Sequence, residues 1–409
     1  MITKQMERCR RRLEEFLGEM LAPVGRSERR HWGAVYVRGL LSDGERKSVG
    51  AMALRLPGAN QQSLQQFLSQ SPWAWEPVWE HLAQKLSRAF PSTAWVIDDT
   101  SFPKQGQHSV GVQRQYCGAL GKKANCQVAV SLHQTNSRGS SPLAWHLYLP
   151  ESWTDDEKRC QQAGVPTPIS FRKKWELALD LIDQAFAWGL PPPPVLLADA
   201  GYGDITEFRR GLEDRKLPYA VAVTSQVRVW TEPPPLTPYV PKQTGRPTQR
   251  SYQYGEQKPL TLRSVAETQQ KRFRPVTWRE GTKGAMRSRF RAVRVQSAHG
   301  YVEGEAPGPT VWLLIEWPRQ EAAPTKYFLC DLPADYSLRR LVHLTKERYH
   351  VEQDYQQMKE ELGLDHFEGR SWTGWHHHVT LVMLAHAFLR FEQRRRRNKS
   401  SLDTASSAA

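Results

Sequence analysis

Two short apolar stretches that each run into an aspartate constrain the fold most. Thr93–Ile97 (TAWVI) precedes Asp98, and residues 195–198 (VLLA) precede Asp199. Continuous apolar runs of this length are typical of buried strands. With their neighbours they give the order three strands, helix, strand, helix, strand, which suits a mixed sheet flanked by helices. The fold class that we predict is therefore α/β.

Other regions surround and interrupt this core. The segment 1–90 shows helical spacing and fits either a small DNA-binding module or a solvated helical bundle. After residue 224 a loop rich in Pro, Thr, Gln and Gly leads into alternating strands at 287–295, 310–317 and 325–331, which predicts a β-rich insertion. A helix is expected at 337–362 and another at 375–393. The predicted divisions are 1–90, 91–224, 225–335, 336–393 and a basic, disordered tail at 394–409.

Charge and composition narrow the class of partner. The 57 basic and 42 acidic residues give a net charge of +15, which favours a polyanion, with nucleic acid as the default. The five cysteines include no CxxC pair, so neither a disulfide framework nor a zinc ribbon is expected. No apolar run approaches the ~18 residues of a membrane span. We expect a cytoplasmic protein, associated with the nucleoid of a bacterium and not with a membrane.

The candidate catalytic residues are carboxylates. Phosphoryl transfer by two divalent ions needs several carboxylates at one point, and oxygen ligands of this kind suit Mg²⁺ or Mn²⁺. Asp98 and Asp199 follow strands, although either could instead cap a turn or helix. The predicted helix 337–362 offers Glu352, with Arg348 one turn before it and Lys359 two turns after it. The alternative for this helix is a solvated face with salt bridges.

The spacing of Arg348, Glu352 and Lys359 resembles the signature of the DDE transposases of the insertion-sequence-4 superfamily. In that signature a Tyr precedes the Arg by three positions, where this chain has Thr345. The stretches IDDTSFPKQG, SVGVQRQYCGALGKKANCQVAVSL, LLADAGYG and EQDYQQMKEELGLDHFEGRSWTGWHHHVTLVMLAHAFL resemble the insertion-sequence-701 type transposases. This resemblance extends from about Arg46 to Phe388.

The resemblance implies an RNase H-like catalytic domain, a β-rich insertion before the catalytic Glu, and metal chemistry by two Asp and one Glu. Asp98 would be the first ligand, because the motif of the family is Asp, any residue, Thr or Ser, and Thr100 completes it; Asp99 is the second choice. Asp199 and Glu352 would be the other two ligands. The implied partner is double-stranded DNA at the terminal repeats of the element and at the target, and we expect a dimer on DNA.

Basic residues are candidates for DNA contacts. The resemblance gives Arg348 and Lys359 a role in holding phosphates. Lys104, Arg114 and Lys122, with Lys123, surround the first aspartate in sequence. They could position the scissile strand through its phosphates, or they could belong to a solvated loop.

Three further features have two interpretations each. Trp278 could hold a flipped base, as the superfamily suggests, or pack within the insertion. Arg246 in Gly-Arg-Pro could enter a minor groove or lie in a Pro-rich loop. His376, His377 and His378 point about 100° apart on a helix and cannot all bind one ion, so we expect a cluster near DNA or a surface.

The function that these observations predict is metal-dependent cleavage and strand transfer at the ends of an insertion sequence. One alternative is an RNase H-like nuclease or resolvase, which cuts without joining. The other is a DNA-binding relic of a transposase that has lost catalysis, an alternative that the missing Tyr at position 345 keeps open.

Overall fold

The structure is a computed structural model that describes residues 2–232, 236–238, 252–254, 259–281, 284–298 and 309–406. It divides into two compact units. Unit 1 comprises Met1–Ser92, Asp98–Pro191 and His350–Ala409, and unit 2 comprises Thr93–Ile97 and Pro192–Tyr349.

Helices make up most of the regular structure outside the sheets. Those among the described residues are α1 (Ile2–Met20), α2 (Ser27–Leu41), α3 (Val49–Arg55), α4 (Gln61–Ser69), α5 (Glu76–Ala89), α6 (Glu151–Thr154), α7 (Glu157–Gln162), α8 (Lys174–Ala187), α9 (Ala200–Gly203), α10 (Thr206–Asp214), α11 (Leu262–Thr268), α12 (Leu338–Lys346), α13 (Tyr349–Glu360) and α14 (Trp372–Ser406).

The strands of the described residues follow in chain order. They are β1 (Ala94–Pro103), β2 (Gln113–Cys117), β3 (Lys122–Asn136), β4 (Gly139–Leu147), β5 (Leu196–Ala198), β6 (Tyr219–Val223), β7 (Arg228–Trp230), β8 (Leu236–Pro238), β9 (Tyr252–Tyr254), β10 (Leu260–Thr261), β11 (Arg274–Gly281), β12 (Gly284–Ser297), β13 (Thr310–Glu316) and β14 (Lys326–Asp331).

Unit 2 contains a large mixed sheet. The start of β1 runs parallel to β5, with Trp95 opposite Leu196, and β5 runs parallel to β6. From β6 the sheet continues antiparallel through β14, β13, β12, β7 and β10, with β11 on β12. The predicted α/β class is confirmed. The strand predicted at 325–331 within the insertion forms β14 and pairs directly with β6.

Unit 1 combines antiparallel strands with helices. β3 pairs with β2 through its first residues and with β4 through the rest of its length. The backbone N–H of Lys104, just after β1, donates to Asn125 O of β3 (2.9 Å). The hairpin strand β2 is an element that the sequence patterns did not predict, because its residues alternate weakly and are mostly exposed.

The helices α1, α2, α4 and α5 pack against α14 in the same unit, and α3 packs against α2 and α4. Trp79 Nε1 of α5 donates to Thr380 Oγ1 (2.7 Å), and Arg12 Nε of α1 donates to a carboxylate oxygen of Glu392 (2.7 Å). The apolar sequence of α14 explains this position, because its residues from Val379 to Phe388 are buried.

Two predicted boundaries differ from the structure. The single helix expected at 337–362 is two helices, α12 and α13, separated by a turn at Glu347 and Arg348. The tail expected to be disordered from residue 394 continues α14 as far as Ser406. The four arginines 394–397 and the residues after them include neither Gly nor Pro, so nothing in the sequence stops the helix.

The prediction of a surface position for the three consecutive histidines is wrong. His376, His377 and His378 are all buried, within the first part of α14. His378 Nδ1 contacts the Tyr36 hydroxyl of α2 (2.8 Å), and its Nε2 contacts the backbone oxygens of Gly363 and Leu364. One helix face cannot present three consecutive residues, but α14 is surrounded by protein on several sides, so each ring finds a partner.

Burial lowers the pKa of these histidines below its usual range. The pKa of His376 falls to about 3 and that of His378 to about 4, and the nearby Lys104 and His366 depress the value of His378 further. The folded protein therefore holds both rings neutral.

Within the described residues, no helix is long and apolar enough to cross a membrane.

We expect the protein to lose stability as pH falls from about 6.5 to 4. Over this range the histidines bind protons in the unfolded chain, whereas their buried rings stay neutral in the folded protein. The loss at pH 5 is about 2 kcal/mol for each such histidine. His378→Gln should reduce the loss by about that amount. Urea unfolding at pH 7, 6 and 5 measures it, with the exposed His108 as control in His108→Gln. A free energy of unfolding that does not change between pH 7 and 5 would contradict this interpretation.

Candidate active site

Asp98 does not follow a strand, as the sequence predicted, but lies in the middle of β1, which continues to Pro103. It is almost completely buried, with 5% of its surface exposed. Its Oδ1 accepts the backbone N–H of Asp99 (2.9 Å). Side chains alternate between the two faces of a strand, so Asp98 shares its face with Phe102. The Phe102 ring lies 6.2 Å, edge-on, from Trp375 of α14 and 5.5 Å from the Lys359 ammonium of α13. Asp98 therefore projects from the face of β1 on which α13 and α14 pack.

Asp99 lies on the opposite face of the strand. Its carboxylate accepts a hydrogen bond from Lys174 Nζ (2.7 Å), at the start of α8. About a third of each side chain is exposed, so this pair resembles a surface ion pair. The geometry gives the two neighbouring aspartates different surroundings, and it favours Asp98 as the residue that faces α13.

Helix α13, which carries Glu352, is attached to these strands by three side chains. Lys359 Nζ donates to Ser101 O of β1 (3.0 Å). The Tyr355 hydroxyl shares a hydrogen bond with Ser131 Oγ of β3 (2.6 Å). Asp354 forms the third attachment. Glu352 itself is exposed in the first turn of the helix, where the helix dipole favours a negative charge.

Asp354 is the centre of a buried polar network in unit 1. Its Oδ2 accepts a hydrogen bond from Ser140 of β4 and lies 3.3 Å from His133 Nδ1 of β3. Its Oδ1 lies 3.4 Å from His386 Nε2 of α14. Burial by itself would raise the pKa of Asp354, but His386 and His133 outweigh burial and hold the pKa below its ordinary value. A buried, ionised carboxylate thus joins α13 to two strands and to α14.

Asp199 belongs to unit 2 and caps the short helix α9. Its Oδ1 accepts the backbone N–H of Gly201 (3.0 Å), so the capping role that the sequence left open is present at one oxygen. Its other oxygen lies 3.9 Å from Arg348 Nη2. Four residues on, Gly203 lies so close to β6 that an added β-carbon would be 1.9 Å from Ala222 O.

The sequence predicted that Arg348 and Glu352 share one helix, but in the structure they do not. Arg348 lies in the turn before α13 and in the same unit as Asp199. The ring of the next residue, Tyr349, is covered by the Arg279 guanidinium at 3.9 Å. Thr345, at the position of the missing signature Tyr, is buried and bonds back to Val342 O.

The predicted phosphate-binding cations divide into two groups. Lys104 Nζ donates to Phe367 O (2.5 Å), and Lys359 Nζ donates to Ser101 O. Burial lowers the pKa of both lysines. Arg114 and Lys122, by contrast, are exposed on the β2–β3 hairpin. In this structure the half-buried pair, Lys104 and Lys359, makes hydrogen bonds within the protein, and the exposed pair, Arg114 and Lys122, is open to a ligand.

Trp278 is half-buried on β11. The Lys346 ammonium lies 4.4 Å from its ring centroid, and Phe290 packs edge-on at 5.7 Å. These contacts fit the interpretation of a Trp packed within the insertion. Arg246 lies outside the described residues.

The side-chain chemistry fits divalent ions that prefer oxygen ligands. Asp98, Asp199 and Glu352 each carry a carboxylate, the type of ligand that Mg²⁺ and Mn²⁺ take. Glu352 is exposed, and 42% of the Asp199 side chain is exposed, so a hydrated ion can reach both. Among the residues that the structure describes, no three His, Cys, Asp or Glu side chains are already grouped as for a metal ion.

Comparison with known proteins identifies the class. The family model of the DDE superfamily endonucleases matches residues 19–285, which is more than half of the chain, so the chain belongs to this family. The matched range includes Asp98 and Asp199 and ends before Glu352.

A particular relative refines the comparison. Over 191 residues the chain is 32% identical to a protein of Microchaete diplosiphon named Probable transposase for insertion sequence element IS701. The aligned part is 46% of this chain and 47% of the relative. The chain therefore spans about half the length of the relative that it matches.

Sequence reasoning missed two polar groups of the site. Asp354 stands two residues after Glu352 in a segment rich in polar residues, where the pattern fits a solvated face. Its partners His133, Ser140 and His386 are distant in sequence. The ion pair of Lys174 with Asp99 is equally non-local. One available signal was His386, a lone histidine within the apolar run of α14.

We expect Asp98→Asn to weaken Mn²⁺ binding by about tenfold or more, because an ion loses an anionic ligand. Asp99→Asn removes only a half-exposed pair with Lys174 and should leave the affinity within about twofold. Titration calorimetry of both variants measures this. If Asp99→Asn weakens binding and Asp98→Asn does not, the assignment of the first ligand is reversed.

Proposed function

We propose that this chain is a transposase of the insertion-sequence-701 type, within the insertion-sequence-4 superfamily. It would cleave DNA at the ends of its element and join the freed 3′-hydroxyl to target DNA. The observation that supports this most is the attachment of α13, with Glu352, by three side chains on the face of the sheet from which Asp98 projects. Membership of the DDE superfamily endonucleases and the transposase relative support the same reaction.

In this proposal Asp98, Asp199 and Glu352 hold the ions. Divalent ions bound there would lower the pKa of water, or of the 3′-hydroxyl, and stabilise charge on the phosphate that is attacked. Asp199 would keep one oxygen for Gly201 N–H, which fixes its orientation, and offer the other. Arg348, 3.9 Å from that second oxygen, would bind a phosphate beside the ion.

The protein's own contribution is orientation. Lys359 and Tyr355 fix α13 against β1 and β3, so the position of Glu352 does not depend on the bound DNA. Preorganised ligands of this kind lower the cost of assembling a transition state. Lys359 would thus help to position Glu352 through its hydrogen bond to β1. Its positive charge would also attract the phosphates of the DNA.

The remaining assignments follow from the same reaction. The catalytic core would be RNase H-like, with the β-rich strands inserted between Asp199 and Glu352. The N-terminal helices would recognise the terminal repeats in double-stranded DNA, and two copies would assemble on it. Arg114 and Lys122, both exposed, would bind phosphates of the scissile strand.

A nuclease that cuts without joining is the second candidate, and the endonuclease family supports it. Both reactions use the same carboxylates, so a strand-transfer assay on pre-cut element ends distinguishes them. Joined products support the transposase, and cleavage without joining supports the nuclease.

Glu352→Gln should abolish cleavage and strand transfer while DNA binding stays within about twofold, because the footprint depends on Lys and Arg. Cleavage and joining assays with Mg²⁺, together with a gel-shift titration, measure the two properties separately.

The matched control is Glu360→Gln, at an exposed residue of α13 whose carboxylate accepts hydrogen bonds from Gln356 Nε2. It should retain activity. Glu347 is a poorer control because its Oε2 is buried in the turn before α13. An active Glu352→Gln protein would refute the mechanism, and an equal loss in both variants would indicate a folding defect.

DNA affinity should fall steeply with salt. If about four phosphates are neutralised, the dissociation constant should rise about a hundredfold between 50 and 200 mM salt. The double variant Arg114→Gln, Lys122→Gln should reduce the log–log slope by about two. Arg172→Gln is the control, because Arg172 is already paired with Asp180. A slope that the double variant does not change would remove these two residues from the DNA interface.

A further inference from the structure

Between Asp99 and Glu151 the charged residues Lys, Arg, Asp and Glu are represented by Lys and Arg alone. No Asp or Glu occurs from residue 100 to residue 150, and the Lys and Arg residues there are Lys104, Arg114, Lys122, Lys123 and Arg138. Three of the five lie on the β2–β3 hairpin of unit 1, and all three are exposed. A surface of one sign with no neighbouring acid in sequence is suited to a polyanion.

The hairpin also exposes an aromatic ring among these cations. Tyr116 has 64% of its surface exposed, which is unusual for a large aromatic residue on a strand. It lies directly opposite Lys123 in the antiparallel pairing, and Arg114 is two residues before it. Residues that are opposite each other, or two apart on one strand, share a face. Arg114, Tyr116 and Lys123 therefore form one face, which we call the Tyr116 face.

The turn end of this hairpin is fixed to the strand that carries Asp98. Ser101 Oγ accepts the backbone N–H of Ala119, just after β2 (2.9 Å), and also contacts Cys117 Sγ (3.4 Å). The carbonyl of the same serine accepts Lys359 Nζ. Ser101 follows Asp98 by three positions, about 10 Å along a strand. The hairpin is thus anchored within about one nucleotide step or two of the proposed first ligand.

We propose that the Tyr116 face binds an unpaired nucleobase of the DNA at the cleaved end, with Tyr116 stacked on the base. Arg114 and Lys123 bind the phosphates on either side of it. This inference rests on the proposed function, which brings a DNA end to Asp98, and it adds a residue that positions that end.

The composition of the face favours a base over an apolar protein partner. Stacking on an aromatic side chain accepts any base, and flanking cations follow the backbone. In the interior of duplex DNA each base is already stacked on both sides, so an exposed ring gains little there. The Tyr116 face should therefore distinguish single-stranded from double-stranded ends.

The test measures binding to the full-length protein with Glu352→Gln, so that no cleavage occurs. The probes are a labelled single-stranded oligonucleotide and a blunt duplex of the same length, followed by fluorescence anisotropy. Tyr116→Ala should weaken binding of the single strand about tenfold and of the duplex less than about twofold. Tyr116→Phe should restore single-strand binding to within about twofold, because stacking needs the ring and not the hydroxyl.

Two controls accompany this comparison. Arg114→Gln should weaken both probes and reduce the salt slope by about one, whereas Tyr116→Ala should leave the slope unchanged. Tyr336→Ala removes a half-exposed ring that Arg340 already covers at 3.7 Å, and it should leave both affinities unchanged.

Equal weakening of both probes by Tyr116→Ala, or no weakening, would overturn the proposal. A change from dimer to monomer in sedimentation would assign the ring to a protein interface and would also overturn it. Because these measurements need no catalysis, they are independent of the cleavage assay on Glu352→Gln, and either proposal can fail alone.

Discussion

The buried carboxylate of Asp354 is the interaction on which the arrangement of unit 1 depends. A charge removed from water is costly unless hydrogen bonds and opposite charges compensate it. Ser140, His133 and His386 supply that compensation from two strands and a helix. A network of this kind specifies one packing, because any shift of α13 would leave the charge without partners. The orientation of Glu352 is therefore set two residues away, inside the core.

Strand β1 uses the alternation of its side chains to separate two aspartates. Asp98 projects toward α13 and is buried, whereas Asp99 projects toward α8 and meets Lys174. In sequence the two residues look equivalent, and only the motif of the family distinguishes them. The structure adds a physical distinction, because one carboxylate already has a lysine partner and the other faces the helix that carries Glu352.

The local sequence patterns correctly predicted those strands that short-range interactions are sufficient to specify. The apolar runs before Asp98 and Asp199 and the alternating strands at 287–295 and 310–317 correspond to β1, β5, β12 and β13. The patterns failed where distant partners decide. The histidines of α14 read as surface because polar residues are usually exposed, yet they bond to helices α2 and α4 and to the loop before α14. The break between α12 and α13 at Arg348 could not be predicted in the same way, because the sequence has no Pro or Gly there.

The position of the Asp199 carboxylate depends on the absence of a side chain at Gly203. A single methyl group at this position would lie 1.9 Å from a carbonyl oxygen of β6, so α9 and the end of β6 would have to separate. Asp199, as the N-cap of α9, would move with it. A lineage of such chains can therefore keep all three acidic residues and still lose the position of Asp199 through one alanine. The sequence motif therefore includes Gly203 as well as the acidic residues, because the missing side chain of Gly203 leaves the space that α9 needs to pack against β6.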